Sequence, residues 1–256
     1  MTAILAGAPH TRHGRAPLTP ATRTMPALLA CSHGTSSPAG QRAVAGLVQA
    51  VAERRPDVPV AGSFVDVQQP DVPTSLTGLG RGAVRIVPLL LSAGYHVHVD
   101  LTEAAATNPD TRVMRALGPD PRLVRQLQRR LTEAGLAPGD AVVLAAAGSS
   151  DAGAVAHCEQ TGEMLAAALR RDVITGFISA AGPRLGDAVA TARAGLRSRG
   201  DGAGRVVVST YLLAPGYFAD LAAGCGADVV TAPLLVDGEQ PPAELVDLVL
   251  DRYLAC

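Results

Sequence analysis

Lysine is missing altogether: all 22 basic residues of this 256-residue chain are arginine. That excludes a Schiff-base lysine, a lysine general base and the lysine of a standard phosphate loop. The arginine, alanine, glycine and proline bias fits GC-rich coding. Net charge is also missing, at a formal −1. No overall field draws the chain to nucleic acid or to an anionic membrane. No apolar run approaches the length of a membrane span. Paired cysteines are absent too. Cys31, Cys158, Cys225 and Cys256 are scattered, and no CxxC spacing occurs. A zinc knuckle or a local iron–sulfur motif is therefore not indicated. Scattered thiols predict a reducing, cytoplasmic setting.

What is present is a globular composition, 48% apolar and 18% charged. Residues 1–24 stand apart from it. They carry Arg12, Arg15, Arg23, His10 and His13, three prolines and no acid. The only apolar stretch there, "AILAGA", is too short for a signal-peptide core. This predicts a disordered N-terminal arm, or an upstream extension before a working start at Met25.

From Met25 strands and helices alternate. "ALLACS" (27–32), 58–67, 83–91 and 111–116 read as strands. Residues 39–55 place Ala43, Val44, Leu47, Val48 and Val51 at helical spacing, and 121–135 form a second helix closed by glycine. The alternation predicts a parallel sheet with helices on its faces. The pattern then recurs. "AVVLAAAGSS" (141–150) resembles "ALLACSHGTSS", "VITGFIS" (173–179) resembles "VAGSFVD" (60–66), and 205–218 resembles 85–96. The helix at 243–254 resembles the one at 121–135. A repeat of about 120 residues is a domain duplication, not a solenoid. The expectation is an α/β chain of two similar domains, each a parallel sheet flanked by helices. They cover 25–137 and 138–256 and join through the turn-rich "GLAPGD" (135–140).

Comparing the copies isolates the chemistry. His33 aligns with Ala147, Asp66 with Ser179 and His96 with Phe218. Every ionisable candidate of the first copy is replaced by a group that does not titrate near neutral pH. The first copy is expected to carry the active site and the second to be catalytically degenerate. His33, Asp66 and His96 follow three different strands, so the fold delivers them to one sheet edge, where open α/β sheets bind ligands. Gly34 and Gly94 beside them permit tight turns and close ligand approach. The start of the first helix, at Thr35 and Ser36, offers backbone N–H groups to an anion; the plainer reading is a helix cap by Ser36 or Ser37. Asp100 and Glu103 form a capping-box pattern. His157 and Glu163 read as surface residues of a helix in the second copy.

Three stretches, "SHGTSSP", "FVDVQQPDVPTSL" and "VPLLLSAGYHVHVDL", together resemble the class II chelatases, in particular the CbiX/SirB family of sirohydrochlorin chelatases. The likeness covers most of 27–256, including the fusion of two similar halves. It implies ATP-independent insertion of Fe²⁺ or Co²⁺ into a tetrapyrrole, sirohydrochlorin, for sirohaem or cobalamin synthesis. The metal is a substrate, and no cofactor is bound permanently. His33 and His96 match the family's two active-site histidines. Asp66 stands where the family usually has glutamate. His98 is an extra imidazole that joins His33 and His96 as a candidate metal ligand. Gly34, Thr35, Ser36, Gly94 and Tyr95 are the expected contacts of the bound tetrapyrrole, with arginines for its carboxylates. Two imidazoles with open positions suit delivery of a borderline divalent ion, and a histidine or Asp66 can accept the displaced protons. The other readings are a non-catalytic tetrapyrrole or metal carrier and a metal-assisted hydrolase; the latter calls for more carboxylates than Asp66 supplies. No nucleic-acid or membrane partner is expected, and the assembly is a monomer or a homodimer.

Overall fold

The computed structural model describes residues 25–80, 82–92, 94, 101–106, 108–198 and 204–255. The N-terminal arm and Asp100 lie outside them. The first repeat contains β1 (Ala27–Ser32), α1 (Pro38–Arg54), β2 (Val60–Phe64), α2 (Val72–Leu79), β3 (Val84–Pro88), β4 (Thr111–Val113) and α3 (Pro121–Glu133). The second contains β5 (Ala141–Ala146), α4 (Ala152–Leu169), β6 (Val173–Phe177), α5 (Leu185–Ser198), β7 (Val206–Tyr211), α6 (Tyr217–Ala223), β8 (Val229–Val230) and α7 (Ala243–Leu254). Each repeat has one four-stranded parallel sheet, in the orders β2-β1-β3-β4 and β6-β5-β7-β8. The expected α/β duplication is present.

The central strands β1 and β5 are almost wholly apolar because both of their faces are covered, as in parallel sheets. Period-two alternation sorts their side chains. Leu29 and Cys31 face an outer core with Val72 and Leu76 of α2, and Val143 and Ala145 face an outer core with Val189 and Ala192 of α5. Leu28 and Ala30 of β1 and Leu144 and Ala146 of β5 face inward and share one core. The two repeats are thus packed through their inner layers.

That shared layer exchanges helices. α3 belongs to the first repeat in sequence but packs on α4 and β7 of the second, and α7 packs on α1 and β3 of the first. Equivalent arginines fasten each exchange. Arg130 of α3, nearly buried, donates to the carbonyls of Pro233 (3.1 Å) and Leu234 (3.4 Å). Arg252 of α7 donates to the carbonyls of Ala116 (2.9 Å) and Leu117 (2.8 Å). Buried Tyr253 adds a bond from its hydroxyl to Pro26 O, 2.6 Å, and Arg85 lies over its ring.

Several boundaries differ from the sequence reading. The strand expected over 58–67 stops at Phe64 and the one expected over 83–91 stops at Pro88; in the second repeat Tyr217 and Phe218 begin a short helix after Pro215-Gly216. Within "FVDVQQPDVPTSL" the chain forms α2, capped by the Asp71 carboxylate, which accepts from Thr74 N at 2.8 Å. Among the described residues no helix is long and apolar enough to cross a membrane.

Candidate active site

The site is built from the carboxyl end of β1. In register with β2, Ser32 pairs with Phe64, so the residues that follow run side by side. Asp66 N donates to His33 O at 3.0 Å. Gly34, at φ 95°, turns directly against the Asp66 carbonyl, leaving no room for a Cβ. The second repeat copies this turn. Ser179 N donates to Ala147 O at 2.9 Å, and Gly148, at φ 91°, packs against the Ser179 carbonyl. The alignment of His33 with Ala147 and of Asp66 with Ser179 is therefore reproduced in the backbone, by the same glycine turn and the same hydrogen bond.

Between the two copied turns lies a cleft of about 490 Å³, bounded by 32–36 and 89–92 of the first repeat and by 147–149 and 211–219 of the second. That is within the roughly 300–1,000 Å³ of small-molecule sites. Its walls are mostly leucine, alanine, glycine and aromatic. His33, exposed, is the only imidazole among its described lining residues. Gly34, Thr35, Ser36 and Gly94 also line it. His96, His98 and Tyr95 lie outside the described residues. Among the described residues no three His, Cys, Asp or Glu side chains converge.

Several expectations change. Asp66 reaches the same sheet edge as His33, but its carboxylate is exposed, folds back to accept from Val67 N at 2.7 Å, and is not part of the cleft lining. The arginines expected to hold carboxylates are not there either: among the described residues no arginine lines the cleft. Arg42, Arg54, Arg122, Arg125 and Arg130 are paired with acids elsewhere. At the start of α1 the capping reading holds, with Ser37 Oγ accepting from Gly40 N at 3.4 Å. Thr35 N is bonded to Gln68 Oε1 at 2.9 Å and Ser37 N to Thr35 Oγ1 at 3.1 Å, so those donors are spent within the loop. Glu163 is exposed as expected; His157 is half-buried, its Nδ1 enclosed without a hydrogen-bond partner.

Sequence reasoning missed Gln68, Tyr211 and Tyr217. Gln68 bridges the loop after β2 to the loop after β1, and Gln41 Nε2 supports the same loop from α1 by donating to Thr35 O at 2.8 Å. "VDVQQP" gives no periodic or motif signal for that contact. Tyr217 is strongly exposed at the cleft and meets Phe218 edge-on, ring centroids 5.9 Å apart. Phe218, the counterpart of His96, supplies apolar wall where an imidazole is expected in the first repeat.

A duplicated parallel α/β scaffold with an unequal cleft between its repeats defines the class. The chain belongs to the CbiX family, whose model matches residues 27–134 and 141–221. A sirohydrochlorin cobaltochelatase of Methanococcoides burtonii is 29% identical over 87 residues, a match spanning 33% of this chain and 66% of that protein. Among solved structures, SirB from Bacillus subtilis with Fe³⁺ superposes with a TM-score of 0.68 at 23% identity, over 89% of this chain and 94% of that one. SirB from Bacillus subtilis subspecies spizizenii in complex with cobalt gives 0.64 at 16% identity, over 90% and 94%. DR2241 from Deinococcus radiodurans gives 0.63 at 17% identity, over 90% of this chain and 54% of that multi-domain protein.

Proposed function

We propose that the chain is an ATP-independent chelatase that inserts a divalent metal, Fe²⁺ or Co²⁺, into sirohydrochlorin. The observation that carries this reading is the apolar cleft between the repeats, with His33 on one wall and Ala147 in the equivalent place on the other. The family match and the cobaltochelatase relative support the substrate; the metals named for the two SirB structures support both ions.

The residues divide the work as follows. The tetrapyrrole enters with its apolar face against the leucines after β3 and β7 and the Tyr217–Phe218 pair, while its carboxylates stay towards solvent. His33 and His96 together hold the incoming ion, with His98 as an additional ligand, and leave positions open for the pyrrole nitrogens. Neutral imidazoles bind such ions without trapping them. Each nitrogen that takes the metal displaces one imidazole or water. Two N–H protons leave as the 2+ ion enters, so charge balances, and imidazole or the exposed Asp66 carboxylate at the same sheet edge passes them to water. The domains divide in parallel: 25–137 carries the chemistry, and 138–256 is catalytically degenerate and closes the cleft.

The test is anaerobic incubation of the chain with sirohydrochlorin and Fe²⁺, Co²⁺ or Ni²⁺, following the macrocycle's visible spectrum. Catalytic turnover with Fe²⁺ or Co²⁺ is expected. Tight tetrapyrrole or metal binding without turnover would identify a carrier instead.

A further inference from the structure

Residues 90–92 leave β3 and form part of the cleft wall. In the second repeat the equivalent stretch is held by its own backbone. Leu234 N donates to Leu212 O at 3.0 Å and Leu235 N to Leu213 O at 2.8 Å. In the first repeat only the first of these bonds has a counterpart, Leu117 N to Leu90 O at 2.9 Å. The second is replaced by a side chain from the other repeat: the Tyr211 hydroxyl donates to Leu91 O at 3.1 Å.

The substitution is built in from both sides. Tyr211 ends β7 where Leu89 follows β3 in the first repeat, so the symmetry is broken by one residue type. Gly118 sits opposite, where any Cβ would overlap both the hydroxyl and the Leu91 carbonyl. Thr161 Oγ1 donates to the same hydroxyl at 3.3 Å, and Tyr211 is 2% exposed. Burial pushes the phenol's pKa up, with the Thr161 bond opposing, so the hydroxyl remains a donor at neutral pH. One residue further on, the Cys158 thiol of the second repeat donates to Ser92 Oγ at 3.7 Å.

We propose that Tyr211 is a positioning residue of the metal-insertion reaction, reaching from the second repeat to fix Leu91 in the wall of the cleft that His33 also lines. It acts through Leu91 and touches no reacting atom. A site whose geometry is set by such a clamp loses rate when the clamp loosens, because reacting groups must be held to within a fraction of an ångström. The inference rests on the chelatase reading, and its test separates the two.

Tyr253 provides a matched control. It is also fully buried, also in the second repeat, and its hydroxyl also donates to a first-repeat carbonyl, Pro26 O, but it does not line the cleft. Tyr211→Phe and Tyr253→Phe are compared in the complete chain for melting temperature, kcat and KM of metal insertion, and deuterium uptake. Both variants should lose a few degrees of melting temperature. Tyr211→Phe alone should lower kcat, by about tenfold, with KM little changed. Peptides covering 86–92 should take up deuterium faster in Tyr211→Phe alone; those covering 25–29 should do so in Tyr253→Phe alone. Wild-type kcat in Tyr211→Phe, or an equal loss in both variants, would overturn the positioning role. A wild-type chain without insertion activity would sink the chelatase reading, while the exchange pattern would still decide whether Tyr211 holds the 90–92 segment.

Discussion

The two repeats share a backbone and differ in what they place on it. At the end of the first strand both make the same glycine turn against the loop after the second strand, with the same N–H to carbonyl bond, 3.0 Å at His33 and 2.9 Å at Ala147. One repeat puts an imidazole there and the other a methyl group. At the end of the third strand of each repeat the difference runs the other way: the second repeat places buried Tyr211 where the first has Leu89. The two copies share one turn, which carries an imidazole in the first repeat and a methyl group in the second. Helix exchange binds these unequal walls into one unit.

The comparison is broken most severely by separating the repeats. The first sheet is covered by α7 from the far end of the chain, whose Leu245, Leu248, Val249 and Tyr253 are fully buried. At about 1.5–3 kcal/mol for each buried side chain, their loss rivals the whole stability of a domain, about 5–15 kcal/mol. Residues 25–137 alone should therefore show no cooperative unfolding as a monomer, by calorimetry and sedimentation. A monomeric 25–137 that melts cooperatively would mean that α3 can cover its own sheet.

Next in size is the coupling of the two histidines. His33→Ala and His96→Ala should each slow insertion by about 100-fold or more, and the double variant should be little worse than either single. His98→Ala should be milder, since His33 and His96 remain. Additive losses would show that the imidazoles act on separate steps. The melting temperature of His33→Ala should barely move, because the side chain is exposed.

A smaller effect tests the connection between the repeats. Asp140 accepts from Ala137 N (2.9 Å) and Arg205 N (3.0 Å), and pairs with the Arg205 guanidinium at 2.7 Å. Burial alone would raise its pKa, but these partners win and hold it at about 2. The carboxylate therefore stabilises the fold above pH about 4, and that stabilisation fades as pH falls through about 2. Asp140→Asn should cost about 2 kcal/mol in urea unfolding near neutral pH and progressively less in acid. A difference that is independent of pH would remove the ionic contribution.

Smallest is the aromatic wall. Phe218→Ala should raise KM for the tetrapyrrole about three- to tenfold with kcat nearly unchanged, as expected for loss of one stacking contact. A change in kcat alone would place Phe218 closer to the chemistry than this account does.

Much of this organisation is legible in the sequence, and for identifiable reasons. Parallel strands buried on both faces read as apolar runs, so "ALLACS" and "AVVLAA" locate β1 and β5 and reveal the duplication. His33 is legible because a copy without it sits in the same chain. Other features depend on partners distant in sequence. Nothing in "AELVDLVLDRYL" says that α7 covers the other repeat's sheet. Tyr211 reads as one more apolar strand residue until Leu91 and Gly118 are seen opposite its hydroxyl. Asp66 aligns well by position, yet its orientation is decided by a local bond to Val67 N that no pattern encodes.

On the proposed reading, the chemistry resides in the first repeat, with His33 at its centre. The most direct measurement is the initial rate of anaerobic Co²⁺ or Fe²⁺ insertion into sirohydrochlorin by the intact chain and by His33→Ala, at equal folded concentration. Turnover by the intact chain is expected, with a loss of about 100-fold or more in the variant and an unchanged melting temperature. A His33→Ala protein that inserts metal at the wild-type rate would contradict it.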